Sequence, residues 1–195
     1  MIRSVDETGA SAAQRYQLKI TLKWTKPPIW RRVIVRGNTK LNLLHDVIQS
    51  AMGWMNCHLH QFKAGGRFYG VPDPDYQDMG TEMLNERRYT VSDLAEIAKT
   101  FTYDYDFGDS WEHQVKIEKV LPPDPDFKHP ICVAGDKACP PEDCGGIPGY
   151  YRLLEALANP RRPEHEELKS WIGGQWNADH FNLDQANAAL SRIKT

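Results

Sequence analysis

The feature that most constrains the fold is a pair of alternating segments, residues 101 to 107 and 111 to 120, joined across Gly108-Asp109-Ser110. Side chains alternate between the two faces of a strand. Tyr103, Tyr105 and Phe107 therefore share a face of the first arm, and Trp111, His113, Val115 and Ile117 a face of the second. A hairpin with so aromatic a face belongs to a larger sheet whose one side is buried. Its tip, YDYDFGDSWEH from Tyr103 to His113, also gathers three aspartates, a glutamate and a histidine. A strand pair does not need that mix at a turn, so the segment marks a site as well as a fold.

The rest of the chain supplies the sheet. Tyr16 to Trp24 sets Leu18, Ile20, Leu22 and Trp24 opposite Lys19, Thr21 and Lys23, the pattern of a half-buried strand. Pro27-Pro28 breaks it and residues 30 to 36 form a second strand. Leu41, Leu44, Ile48 and Ala51 then fall at helical spacing, with Asn42 or Thr39 as cap and Gly53 as terminator. The opening is thus ββα, β-grasp-like. Residues 58 to 71 predict a hairpin turning at Gly65-Gly66, residues 72 to 89 a long polar connection, and Ser92 the cap of a short helix.

Residues 121 to 149 hold seven of the 13 prolines and three of the four cysteines, a density that predicts no regular element. Three helical patterns follow: one ending at Asn159-Pro160, one with Pro163 in its first turn, and one capped by Asn182. The expected class is α+β, a mixed sheet with one crossing helix, a Cys/Pro-rich loop and C-terminal helices. Residues 1 to 15 read as a disordered leader and 16 to 195 as a single domain. Within that domain, 16 to 120 form the sheet and crossing helix, 121 to 149 the loop, and 150 to 195 the helices.

A net charge of -2 over 195 residues gives no bulk drive toward nucleic acid or anionic membrane. No run approaches the roughly 18 apolar residues of a membrane span. A cytoplasmic location with reduced cysteines is the expectation.

The motifs PPIWRRV, AMGW followed by HLHQF, YDYDFGDSWEH and CPPEDCGGIPGY occur in this order. Together they resemble the plasmid pRiA4b ORF-3-like family, over about residues 16 to 190. The resemblance implies an α+β fold and an association with mobile genetic elements, and it transfers no activity.

Three groups of residues carry possible chemistry. Cys132, Cys139 and Cys144, with His129 nearby, have the thiolate character that favours zinc, although no paired CxxC knuckle is present. The other reading of that loop is a rigid turn with small buried thiols. His58 and His60, two apart on a strand, would face one ion, with His113 as a further ligand. In the hairpin, Asp106, Asp109 and His113 are the catalytic candidates; a turn capped by Asp109 is the structural alternative.

A recognition reading uses Tyr103, Tyr105 and Trp111 with Glu142 and Asp143 as an aromatic and acidic groove for a protein or peptide partner. The pairs Arg31-Arg32, Arg87-Arg88 and Arg161-Arg162 read as solvated. The leading expectation is a binding or regulatory accessory protein whose groove lies between YDYDFGDSWEH, HLHQF and CPPEDCGG. The alternative is a metal-dependent hydrolase, with nucleic acid as its candidate substrate, using His58, His60, Asp106, Asp109 and His113.

Overall fold

Eight strands form one sheet, with helices over the face that carries the apolar side chains. The computed structural model describes residues 14–72, 82–173 and 176–194; most of the N-terminal leader and part of the 72 to 89 connection lie outside these residues. The strands are β1 (Arg15–Leu22), β2 (Ile29–Arg36), β3 (His60–Ala64), β4 (Arg67–Gly70), β5 (Met83–Asn85), β6 (Thr100–Tyr105), β7 (Trp111–Leu121) and β8 (Ile131–Asp136). The helices are α1 (Leu41–Met52), α2 (Val91–Ile97), α3 (Gly146–Ala158), α4 (His165–Trp171) and α5 (Leu183–Leu190). The strand order is β5-β4-β3-β6-β7-β1-β2-β8, and every neighbouring pair is antiparallel except the parallel β4–β5. The α+β class and the ββα opening are as the sequence predicts. No helix among the described residues is long and apolar enough to cross a membrane.

The alternation in β1 and β2 decides which face is buried. Leu18, Ile20, Leu22, Ile29, Val33 and Val35 are shielded from solvent, and α1 lays Leu41, Leu44, Val47 and Ile48 into the same core. Each such side chain contributes about 1.5–3 kcal/mol by leaving water. Gly53 ends α1 in the left-handed region at φ 97°, as expected, but neither Asn42 nor Thr39 caps it; Lys40 occupies that position without a side-chain cap. Gly65 (φ 56°) and Gly66 (φ 77°) make the β3–β4 turn, where two consecutive positive φ values match the twist of the strands.

Several expectations are corrected. The first strand ends at Leu22, and Trp24 is left-handed (φ 67°) and solvent-exposed, so it does not share the buried face. Thr90, two residues before Ser92, caps α2 in a reciprocal capping box with Asp93. The connection after β4 contributes β5 and a 3-10 turn at Glu86–Arg88. The Cys/Pro-rich stretch contains β8, because its residues from Ile131 onward find partners on the open edge of β2.

Arg31 also departs from the solvated reading. Alternation carries it to the core face, where its Nε donates to the Ala51 carbonyl (2.9 Å) and its guanidinium to Trp30 and Asp136 carbonyls. Phe181 covers it, the ring centroid 4.0 Å away. A buried cation is tolerated here because three of its hydrogen bonds go to carbonyls and an aromatic ring covers it.

A polar network lies inside the aromatic core. The buried Tyr103 hydroxyl accepts from Gln49 Nε2 (2.9 Å) and lies 2.7 Å from His45 Nδ1. Tyr103→Phe strands both partners and is expected to cost about 1–3 kcal/mol. The measurement is the urea midpoint, with the far-ultraviolet spectrum unchanged; an unaltered midpoint would refute a stabilising role for the network.

Candidate functional site

The β6–β7 turn is built by Asp106. Its residue is left-handed (φ 55°), its N–H donates to the Leu59 carbonyl (2.8 Å), and its Oδ1 accepts from the N–H groups of Gly108 (2.9 Å) and Asp109 (3.3 Å). This is an Asx turn, in which a short carboxylate does the work of a backbone acceptor. Asp106 therefore caps the turn, the role the sequence assigns to Asp109. Its second oxygen, Oδ2, faces His58 Nε2 at 3.7 Å.

The loop from 140 to 146 comes in over this turn and is held at four points. Glu142 Oε1 accepts from the Tyr105 hydroxyl (2.5 Å) and Oε2 from the Met55 N–H (2.9 Å). Gly145 N–H donates to Asp109 Oδ2 (3.2 Å), and the Trp54 indole donates to the Pro140 carbonyl (3.0 Å). Gly146 fits because a Cβ there would stand 2.5 Å from the Asp109 carbonyl oxygen. So anchored, the loop presents Asp143 Oδ1 3.2 Å from His58 Nε2.

His58, Asp106 and Asp143 place one ligand atom each within 4.8 Å of one another. His58 Nε2 is buried without a hydrogen-bond partner, while Asp143 is largely exposed. One imidazole nitrogen and two carboxylate oxygens suit a divalent transition ion, with coordination positions left toward solvent.

A family model for the plasmid pRiA4b ORF-3-like protein matches residues 14–185. The chain belongs to this family. It is 38% identical over 180 residues to the uncharacterized protein y4hQ of Sinorhizobium fredii (strain NBRC 101917 / NGR234), covering 91% of each. It is also similar to a crystal structure of MM3350, a protein of unknown function from Methanosarcina mazei Go1. That likeness has a TM-score of 0.79 at 34% identity, covering 88% of this chain and 96% of the other. Of the four motifs that carry the family resemblance, three meet at the site: HLHQF supplies His58, YDYDFGDSWEH supplies Asp106, and CPPEDCGG supplies Asp143.

The cluster is smaller than the sequence suggests. His58 precedes β3, so strand alternation does not bind it to His60. His60 instead pairs with Glu86 (2.8 Å) and stacks on His45, ring centroids 3.5 Å apart. His113 points into the core at 0% exposure, edge-on to Trp54, with Nδ1 3.3 Å from the Tyr103 carbonyl. Burial lowers its pKa to about 4, so it is neutral and structural.

Tyr103, Tyr105 and Trp111 are each at 0% exposure and do not line a groove; Tyr105 reaches the site only through its hydroxyl. Burial, followed by the adjacent Glu142 carboxylate, keeps that phenol protonated. Phe107 is exposed on the turn and leaves the aromatic face.

The loop cysteines form no three-ligand cluster among the described residues. Cys132 sits in β8 with Sγ 3.4 Å from the Ala134 carbonyl, and Cys144 Sγ lies 4.0 Å from the Gly146 carbonyl. His129 Nδ1 lies 2.9 Å from the Pro130 carbonyl. Among the described residues, no group of three ligand atoms includes a thiol. Burial raises the pKa of all three loop thiols, that of Cys144 to about 12.

The residues missed by sequence reasoning are Trp54, which ties the 140 to 146 loop to the core, and Glu86. Trp54 had a signal in the AMGW motif. Glu86, buried in the polar connection, had none.

Proposed function

We propose that the protein is a binding module, an accessory protein of mobile genetic elements, whose site is a divalent-cation seat made by His58, Asp106 and Asp143. Its partner would be gripped through a carboxylate or phosphate oxygen entering the ion's open positions. The supporting observation is that the buried His58 Nε2 makes no hydrogen bond yet faces two carboxylates, 3.7 and 3.2 Å away. The mobile-element setting rests on the plasmid origin in the family description.

The neighbouring carboxylates favour binding over catalysis. Both Glu142 oxygens and Asp109 Oδ2 are already engaged with hydroxyl or backbone donors, so neither residue is poised as a general base. A metal-dependent hydrolase is the second reading, favoured by the solvent-facing coordination positions, which would admit a water.

The test is calorimetric titration of tag-free, chelator-treated protein with zinc and with manganese. About one equivalent should bind, and His58→Ala or Asp143→Asn should weaken it at least about tenfold, the usual scale for losing one ligand interaction. Both variants should keep the parent's thermal midpoint within a few degrees, since Asp143 is exposed and His58 lies outside the strands. Absence of saturable binding, or equal affinity in both variants, would reject the seat. Hydrolysis of a generic phosphodiester by the loaded protein, lost in the same variants, would move the assignment to the second reading.

A further inference from the structure

We propose that the uncovered face of the sheet is a binding surface for single-stranded nucleic acid, held mainly through its phosphates. Alternation sends most apolar residues of β1, β2, β6 and β7 to the core and leaves a largely polar face on the other side. That face carries Arg15, Lys19, Lys23, Arg32, Arg36, Lys63, Lys116 and Lys119. Its carboxylates are Asp104, Glu112, Glu118 and Asp136, with Asp124 paired to Arg15 at its edge. Eight cations against these five anions give this face +3, although the whole chain is -2. The overall charge therefore conceals a basic surface.

The pairing on this face leaves cations to spare. Glu112 is engaged by Lys23, Glu118 by Arg32 and Gln17, and Asp104 by Gln61. Among the described residues, Lys19, Lys63, Lys116 and Lys119 have no carboxylate within ion-pair reach on this face. Lys19 and Lys116 stand directly opposite each other across β1 and β7. Like charges in that position destabilise a sheet, and an external anion offsets the repulsion.

Exposed aromatics border the cations. Phe107 is 51% and Trp24 68% exposed; Phe107 shares a shallow depression with Lys23 and Lys63, and Lys23 Nζ lies 5.1 Å from the Trp24 ring. A basic groove edged by open aromatic rings is how single strands are held, since unstacked bases offer π faces that a duplex hides. Trp30 is already flanked by Lys19 (4.8 Å) and Arg32 (5.0 Å), so contacts in the middle of the face go to phosphate and carry no sequence preference.

The surface is independent of the His58 site, and the experiment is run in chelator so that the two ideas fail separately. Fluorescence anisotropy follows a labelled oligothymidylate of about 20 nucleotides at about 50 mM salt. Saturable binding should weaken with salt, with a slope near -3 in log K against log salt for about four phosphate contacts. Lys19→Glu with Lys116→Glu should lose at least about tenfold in affinity, and Lys63→Glu provides a second charge reversal away from that pair. Phe107→Ala should weaken the single strand about tenfold with an unchanged salt slope. Lys169→Glu on α4 is the charge control and should bind like the parent. No saturable binding, a duplex bound as tightly as the single strand, or a double variant indistinguishable from the parent would overturn the proposal.

Discussion

Trp111→Ala is expected to lower the unfolding free energy by about 3–5 kcal/mol, the range for emptying a buried aromatic site. Trp111 is the largest side chain at 0% exposure and pairs directly across the sheet with Tyr105. Its ring centroid lies 5.8 Å from Trp54, which in turn stacks on Tyr105 at 5.1 Å. Trp54 and Tyr105 are the groups that hold the Asp143 loop, through Pro140 and Glu142. The cavity should therefore be felt at the site, as weaker cation binding alongside the loss of stability. The buried Trp111 indole N–H has no partner, so Trp111→Phe keeps most of the volume without losing a hydrogen bond. It should cost less than about 1.5 kcal/mol. Guanidinium unfolding of the three proteins checks both figures, and a Trp111→Ala midpoint equal to the parent's would show that this stack does not support the fold.

What was legible in the sequence was whatever depends on local periodicity. Leu18, Ile20 and Leu22 announced β1, Gly65-Gly66 a tight hairpin, and Asn182 the start of α5, whose side chain does accept from the Gln185 N–H. The sequence also places YDYDFGDSWEH beside CPPEDCGG, and the Gly145 to Asp109 hydrogen bond is one anchor of that contact. What failed needed long-range pairing. β8 exists because β2 offers an edge, and no local pattern in a proline-rich stretch reports that. Alternation joins His58 to His60 only in a strand that starts at His58, whereas β3 starts at His60. Alternation shows that the aromatics share a face without saying whether that face is covered. Here the helices cover it, and the charged side is the one left open.

The stability of the fold should fall steeply between pH 6.5 and pH 5. His113 and His45 are both buried, and burial lowers each pKa to about 4; for His45 the neighbouring His60 adds to the lowering. Exposed in the unfolded chain they titrate near 6.5. Below that value the unfolded state binds protons that the folded state refuses, so stability is lost as the pH falls and is unaffected above it. The loss is about 2 kcal/mol per histidine by pH 5 and approaches about 3 kcal/mol each at pH 4.

The surroundings set the window. His45 faces the His60 ring, Asn56 and Tyr103, with Glu86 and Asp46 beyond, whereas His113 meets backbone carbonyls and aromatic rings. Asp46 and Asp104, raised by burial, work in the opposite sense because their folded forms hold protons more tightly. Glu118, held near 2 by Arg32, acts only at lower pH. Over pH 6.5 to 5 the difference between the parent and a variant lacking one of the two histidines isolates that histidine, because the carboxylates contribute equally to both. His113→Phe is such a variant, and whatever it does to stability at pH 7.5, its loss on going to pH 5 should be smaller than the parent's by about 2 kcal/mol. Urea titrations of both proteins at pH 7.5, 6 and 5 give this difference directly, and parallel curves would mean that His113 takes up its proton in the folded state as readily as in the unfolded one, against a pKa lowered by burial.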